Sequence, residues 1–453
     1  MASSRPSARP REPVRLLVSD TEGRIFDHPS LLAAGERGCG PEAIDPADWI
    51  PLPRGSDLFT LPGRAPVGIS PASGRRRVVE RFEGDEARAV AAFLAPAHTS
   101  CHHTAWRVRQ GAPVLPTYAY SAVGFADGGY WTSAFRSDPD PRQDPWRFSR
   151  PRVEAGIATR RAELPRNRLA RQLERCALDY GCRAAQNFFL GRHEAPLPTS
   201  IACNAQCVGC ISLQPDGEFR ASHDRLATPP SPREVSDVAL GHLARVRGGI
   251  VSFGQGCEGE PLLFEELLVQ SVRRIRAHTS RGTVNLNTNA SRPDAVSRLL
   301  EAGLDAIRAS LNSPRPALYA AYYQPRGYAF AEVEESLRRV VRAGGHASLN
   351  LLCFPGVTDT EAELRALVGL VERTGLHLVQ LRNLNIDPDL YRRVLPRGSV
   401  GRGRGMRWLR DALASRFPRL RFGYFNPSLG RAGKRVPTGE QLSRRPVDAL
   451  PVS

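Results

Sequence analysis

The stretch Cys203-Asn204-Ala205-Gln206-Cys207-Val208-Gly209-Cys210 decides how the rest of the chain is read. It places three thiols on one short loop. A cubane iron–sulfur cluster has four irons, and each needs an outer ligand, usually a cysteine thiolate. Three thiolates leave one iron open, and an open position is what lets a metal do chemistry rather than staple a fold. The same spacing also suits a closed zinc site of three cysteines and a histidine, with His223 as the fourth ligand.

Outward from this loop, residues 196–390 alternate short apolar runs with longer amphipathic ones. That alternation predicts βα units around a parallel sheet. Strands are expected at 198–202, 249–253, 283–286, 306–311, 347–352 and 377–381. Helices are expected at 232–246, 262–278, 293–302, 330–343 and 361–374. Ser231 before Pro232, and Asp359 or Thr360 before Glu361, are helix-start signals. The polar motifs fall at the C-terminal ends of the expected strands, where α/β barrels carry their chemistry. The second strand ends in Gly254-Gln255-Gly256-Cys257-Glu258-Gly259-Glu260-Pro261, the third in Asn287-Thr288-Asn289-Ala290 and the fourth in Arg308-Ala309-Ser310-Leu311-Asn312. The fifth supplies Asn350 and runs into 354–359. The sixth carries Gln380, Arg382, Asn383 and Asn385, a set suited to a carboxylate of substrate or cofactor.

In this order and spacing, the motifs resemble the signature of the radical S-adenosylmethionine (radical SAM) enzymes. The resemblance covers residues 196–390 and makes the zinc site the minor reading. It implies a partial (β/α)6 TIM-like barrel. It implies a 4Fe–4S cluster on Cys203, Cys207 and Cys210, and S-adenosylmethionine held by Gly259, Glu260, Asn289, Ser310 and Asn312. Gly259-Glu260-Pro261 is similar to the family's Gly-Gly-Glu-Pro motif, in which backbone carbonyls and the acidic side chain meet the cofactor's amino group. Here Glu258 stands where a glycine is usual. Asn287-Thr288-Asn289-Ala290 is similar to the family's Thr-Asn-Gly. Many members carry an aromatic residue just before the third cysteine. Here it is Gly209, so other groups must grip the adenine. The implied activity is reductive cleavage of the cofactor to a 5′-deoxyadenosyl radical that takes hydrogen from a peptide, protein or metabolite. A low-potential donor such as flavodoxin or ferredoxin is the implied electron source. No residue is assigned as catalytic, and the subclass, oxidoreductase or transferase, stays open. A tRNA- or rRNA-modifying enzyme and a non-catalytic metal-binding scaffold are the alternatives.

The chain has 453 residues and a net charge of +17, which invites a nucleic-acid partner. The basic residues are almost all arginine, with Lys434 the only lysine, and they are dispersed. No aromatic-interleaved basic motif accompanies them, so a solvated basic surface is favoured over an RNA site. The six cysteines outside the loop are Cys39, Cys101, Cys176, Cys182, Cys257 and Cys353. They show no Cys-x-x-Cys pairing and do not form a disulfide framework. Cys257 is expected as a small buried hydrophobe, and Cys101-His102-His103 as no metal site. No apolar run approaches the ~18 residues of a membrane span. A labile cluster and the absence of a secretory pattern near the start point to the cytoplasm.

The flanks read differently. Residues 1–13 are expected as a flexible tail. Residues 14–137 are expected as a β-rich or α+β domain, with strands at 14–19, 67–69, 78–82, 117–123 and 129–135 and one helix at 85–94. Hairpin turns are expected at Glu22-Gly23 and Asp127-Gly128-Gly129. Trp106, Tyr118, Tyr120, Tyr130 and Trp131 are expected in its core. Residues 138–195 are expected as a linker and helical cap, with one long helical pattern over 153–190. The C-terminal extension, 391–453, is expected to hold a flexible segment at 401–405, a helix at 405–417, a strand at 420–425 extending the sheet, and disorder from about Gly430.

Overall fold

The computed structural model describes residues 9–214, 219 and 221–429. The expected tails lie outside these residues before Arg9 and from Gly430 onward. Within them, Arg11 and Glu12 already donate backbone N–H groups to the Asp127 carboxylate, so the chain is tied down by that point.

The parallel sheet has seven strands in sequential order: Glu194–Pro196, Ile250–Phe253, Thr283–Thr288, Ala306–Leu311, His346–Cys353, Leu378–Asn383 and Arg421–Gly423. All neighbours pair in parallel, and helices such as Pro232–Arg245, Glu265–His278, Pro293–Ala302 and Glu361–Thr374 make the crossovers. The result is a curled half-barrel of the TIM type. These helices form where the apolar positions recur at helical spacing and a capping residue stands ahead of them. Ser231 and Glu234 close a reciprocal capping box, and Thr360 accepts from Glu363 N–H. The last strand extends the sheet as expected.

The first strand lies earlier than the expected 198–202. Pro198 has no N–H to give a ladder, and the chain leaves the sheet there to become the root of the cysteine loop. Residues 153–190 form three helices, Arg150–Glu163, Arg168–Leu178 and Arg183–Phe189, rather than one run. Pro165 and Gly181, the latter at φ 60°, interrupt the pattern. The segment 401–405 is pinned: Gly401 N–H donates to Gly356 O, Gly403 N–H to Arg37 O and Gly405 N–H to the Asp359 carboxylate. Its glycines are there for close approach. A Cβ on Gly403 would lie 2.3 Å from Asp359 Oδ2.

Residues 9–137 form a branched antiparallel sheet of thirteen strands. Among these residues there is no α-helix, only the 3-10 turn Pro46–Asp48, so the region is β rather than α+β. The expected helix at 85–94 is instead the strand Arg88–Phe93, between Arg15–Ser19 and Asp57–Leu61. Ala89, Val90, Ala91 and Ala92 are all buried, so both faces of the segment are covered and packing overrides alanine's helix preference. The expected strand at 117–123 is mostly irregular, with only bridges at Ser121 before Val123–Ala126. Both hairpins form where expected, and Asp127 and Gly128 hold positive φ in a two-residue turn. Trp106, Tyr120 and Trp131 are buried, whereas Tyr130 is 40% exposed.

This sheet packs on the far edge of the half-barrel. The Thr99 hydroxyl donates to Leu381 O, Ser100 N–H to Asn383 Oδ1 and Asn383 Nδ2 to His98 O. A buried ion pair joins Arg64 to Asp387 at 2.9 Å. No described helix is long and apolar enough to cross a membrane.

Candidate active site

The cysteine loop is held from two sides by backbone hydrogen bonds. On one side, Gly259 N–H donates to Ser200 O and Glu260 N–H to Ala202 O. The loop root is thereby zipped to the end of the second strand. A Cβ on Gly259 would lie 1.9 Å from Ala202 O, so only glycine permits this approach. On the other side, Gln206 N–H donates to Tyr323 O, Val208 N–H to Tyr322 O and Arg326 N–H to Asn204 O. The helix Pro316–Tyr323 ends there in a left-handed Gln324, which turns the chain back along the loop.

Glu258, the residue that departs from the family motif, is a latch. Its carboxylate accepts from Thr199 N–H (2.7 Å), the Thr199 hydroxyl (3.2 Å), Ser200 N–H (2.9 Å) and Gln255 N–H (2.6 Å). Burial pushes its carboxyl up to about 7, against the pull of these donors. Glu260 is also buried, with burial raising its carboxyl, and it accepts from the Thr288 hydroxyl (2.5 Å), Asn289 N–H (2.7 Å) and Leu262 N–H (3.0 Å). It thus ties the ends of the second and third strands together. Asn289 Nδ2 in turn donates to Asn204 Oδ1 at 2.8 Å, and Asn204 Nδ2 to the Ser291 hydroxyl.

Cys203, Cys207, Cys210, Gly259, Glu260, Asn289 and Ser310 all line one cavity of about 490 Å³. Asn312 does not line it. Its side chain is fully buried, donating to Leu318 O and the Tyr391 hydroxyl. Gly209 makes room for Tyr322, because a Cβ there would lie 2.9 Å from the Tyr322 hydroxyl. Tyr322 and Tyr323 therefore stand on the wall beside the loop, and both line the cavity.

The three cysteines are free and half-buried. Burial raises the thiols of Cys203 and Cys207, the latter strongly and with help from its cysteine neighbours. Thiolates so placed need positive charge beside them, and iron would supply it. Arg225 adds some, with its guanidinium 3.7 Å from Cys210 Sγ. Among the described residues no three His, Cys, Asp or Glu side chains converge on a single ion. A cubane cluster spreads its ligands over separate irons, and three thiols on one loop suit it. His223, the zinc alternative's fourth ligand, does not line the cavity. It packs on Tyr180 and pairs with the Ser222 hydroxyl. Cys257 is buried with its Sγ 3.9 Å from Cys176, and His102 is engaged with Ser133 and Glu42.

Sequence reasoning missed Asn204, Arg225, Tyr322 and Arg308 as site residues. Arg308 had a signal. It lies two positions before Ser310 on one strand, hence on the same face of the sheet. The partners of Asn204 and Tyr322 lie far along the chain, whereas Arg225 meets Cys210 and Ser212 from just beyond the loop.

Residues 197–368 match the family model of the Radical SAM superfamily. No curated protein matches the chain. Among solved structures, a radical SAM methyltransferase from Sphaerobacter thermophilus is 19% identical, with 49% of this chain and 64% of that chain covered at a TM-score of 0.36. The FeFe-hydrogenase maturase HydG from Carboxydothermus hydrogenoformans is 15% identical, with coverages of 51% and 60% and a TM-score of 0.33. Streptococcus suis SuiB bound to the precursor peptide SuiA is 13% identical, with coverages of 56% and 52% and a TM-score of 0.36. This chain spans less than two thirds of each of those chains. The cysteine loop and the four half-barrel strands that follow it, Ile250–Phe253 to His346–Cys353, lie within this match to the radical SAM superfamily, whose members use a 4Fe–4S cluster and S-adenosylmethionine.

Proposed function

We propose that the protein is a radical SAM enzyme acting on a peptide, protein or metabolite. The observation that carries this reading is the opening of Cys203, Cys207 and Cys210 onto the same cavity as Gly259, Glu260, Asn289 and Ser310. When bound, the cluster and S-adenosylmethionine supply a low-potential electron and a 5′-deoxyadenosyl radical that abstracts hydrogen. The chain's own residues do the rest. Cys203, Cys207 and Cys210 hold the cluster. Glu258 and Gly259 fix the loop root so that the three thiols stay on one side of the mouth. Glu260 orients Asn289 and Thr288, whose amide and hydroxyl, with Ser310, are suited to the cofactor's polar groups. Tyr322 and Tyr323 narrow the mouth against water, which favours a contained radical. The reading calls for an external low-potential donor of flavodoxin or ferredoxin type, and for a reducing compartment such as the cytoplasm.

The test is anaerobic reconstitution followed by incubation with dithionite and S-adenosylmethionine. About four irons per chain and 5′-deoxyadenosine formation are expected, and both should be lost in Cys207→Ala. Stoichiometric zinc without iron overturns the reading. A full cluster with bound cofactor and no cleavage favours the non-catalytic scaffold.

A further inference from the structure

Beyond the cysteine loop, the cavity continues into the lumen of the half-barrel, and that part is basic. In the sheet register Ser310 pairs with Asn350 and Asn350 with Gln380. Arg308 lies one inward-facing row below this line and pairs with Ser348, and Arg382 lies one row above it and pairs with Leu352. Both arginines and Asn350 line the cavity. Neither guanidinium has a carboxylate partner. Arg308 donates to Gln380 Oε1 at 3.0 Å. Arg382 donates to Tyr424 O at 3.1 Å and sits 4.0 Å over the Tyr424 ring. Arg308 Nε, Arg382 Nε and Asn350 Oδ1 are buried without a hydrogen-bond partner. Burial and the neighbouring Arg382 lower the Arg308 guanidinium to about 9.

Two like charges in a half-barrel lumen, with donor groups unspent, are costly to fold around. Glu194 also lines the cavity, but its carboxylate accepts from Asn426 Nδ2 at 2.8 Å and acts on Arg308 only through space. The other arginines of the cavity are committed elsewhere. Arg225 is at Cys210, and Arg183 stacks on Phe148 and donates to Gln186. Arg308 and Arg382 are thus left in the lumen with no carboxylate of the described residues within ion-pair distance, which suits an anion. The planar guanidinium fork matches a carboxylate.

We infer that Arg308 and Arg382 bind a carboxylate group of the substrate in the barrel lumen. The inference rests on the radical SAM reading for the word substrate, but the anion site itself does not. The carboxylate belongs to a small organic acid or to the C-terminus of a peptide. Asn350, between the two arginine rows, offers an unspent oxygen to an N–H beside that carboxylate. The arginines are specificity residues rather than catalytic ones.

The test uses reconstituted full-length protein and thermal midpoints at matched ionic strength. Acetate and N-acetylglycine, a peptide end in miniature, should each raise the midpoint saturably, and the stronger of the two identifies the source. Acetamide should have no effect. In Arg308→Gln and Arg382→Gln the carboxylate response should fall at least tenfold in affinity, with iron content and S-adenosylmethionine affinity unchanged. Without ligand, the midpoint of Arg308→Gln should rise, since an unpaired buried charge has been removed. An equal carboxylate response in both variants, or a stronger response to inorganic phosphate than to acetate, overturns the inference. So does a tenfold loss of S-adenosylmethionine affinity in both variants, which would make the arginines part of the cofactor site. Loss of iron and a lower midpoint in both would make them structural and also overturn it. Protein that binds acetate through these arginines but holds no iron would sink the radical SAM reading and leave the anion site standing.

Discussion

Gly259 is the residue on which the site is most exposed to a single change. A methyl group there meets Ala202 O at 1.9 Å, so Gly259→Ala must push the loop root away from the second strand. The expected cost is roughly 1–3 kcal/mol, read as a lower denaturation midpoint together with reduced iron uptake. Glu260 acts differently. Removing its carboxylate in Glu260→Ala strands Asn289 N–H and the Thr288 hydroxyl, each at about 1–3 kcal/mol. The variant should keep its iron and lose at least about tenfold in S-adenosylmethionine affinity, about 1.4 kcal/mol. Unchanged affinity would remove Glu260 and Asn289 from the cofactor site. Glu363 provides a pH signature away from the mouth. It is fully buried, accepts from the Ser313 hydroxyl, and burial raises its carboxyl to about 8. A raised carboxyl binds its proton more tightly in the folded state. Its contribution is therefore fully present below the ordinary carboxyl range and declines as pH rises through about 8. Unfolding midpoints of Glu363→Gln should fall less between pH 5 and 8 than those of the unaltered protein. Parallel curves would contradict this. The cysteines and Glu260 were legible because their chemistry is carried by local spacing. The roles of Glu258 and Asn204 were not, because their partners lie some 60 to 85 residues away along the chain.

At the scale of elements, the half-barrel was readable wherever a helix has both period and cap. The helices Pro293–Ala302 and Glu361–Thr374 lie where the pattern put them. Reading failed where local preference and packing disagree. The run Ala89-Val90-Ala91-Ala92 looks helical, but buried on both faces it forms a strand. The Gly-Arg run at 401–405 looks free, but the Asp359 carboxylate and Gly356 O hold it. Asn204 anchors the cysteine loop through its side chain, to Asn289 and Ser291, in addition to the backbone clamps. Asn204→Ala should leave anaerobic iron content intact and make the cluster bleach several-fold faster in air, followed by absorbance. An unchanged rate would show that the backbone clamps alone hold the loop.

At the scale of the whole molecule, the antiparallel sheet and the half-barrel are joined through charge and hydrogen bonds as well as packing. Arg64 pairs with Asp387 while Leu115 N–H donates to the same carboxylate, and Trp106 donates to Asp389. Arg64→Ala leaves a buried carboxylate short of its cation and should cost about 3–5 kcal/mol, or split one unfolding transition into two. No sequence pattern announced this contact, since its members are more than 300 residues apart. On the other side of the barrel, Cys203, Cys207 and Cys210 of the one loop face the cavity with the strand-end motifs. The most direct measurement is the electron paramagnetic resonance spectrum of the reduced, reconstituted protein before and after adding S-adenosylmethionine. A 4Fe–4S signal is expected, with g-values that shift when the cofactor reaches the open iron. A 4Fe–4S signal that S-adenosylmethionine leaves unchanged, or no iron signal at all, would contradict it.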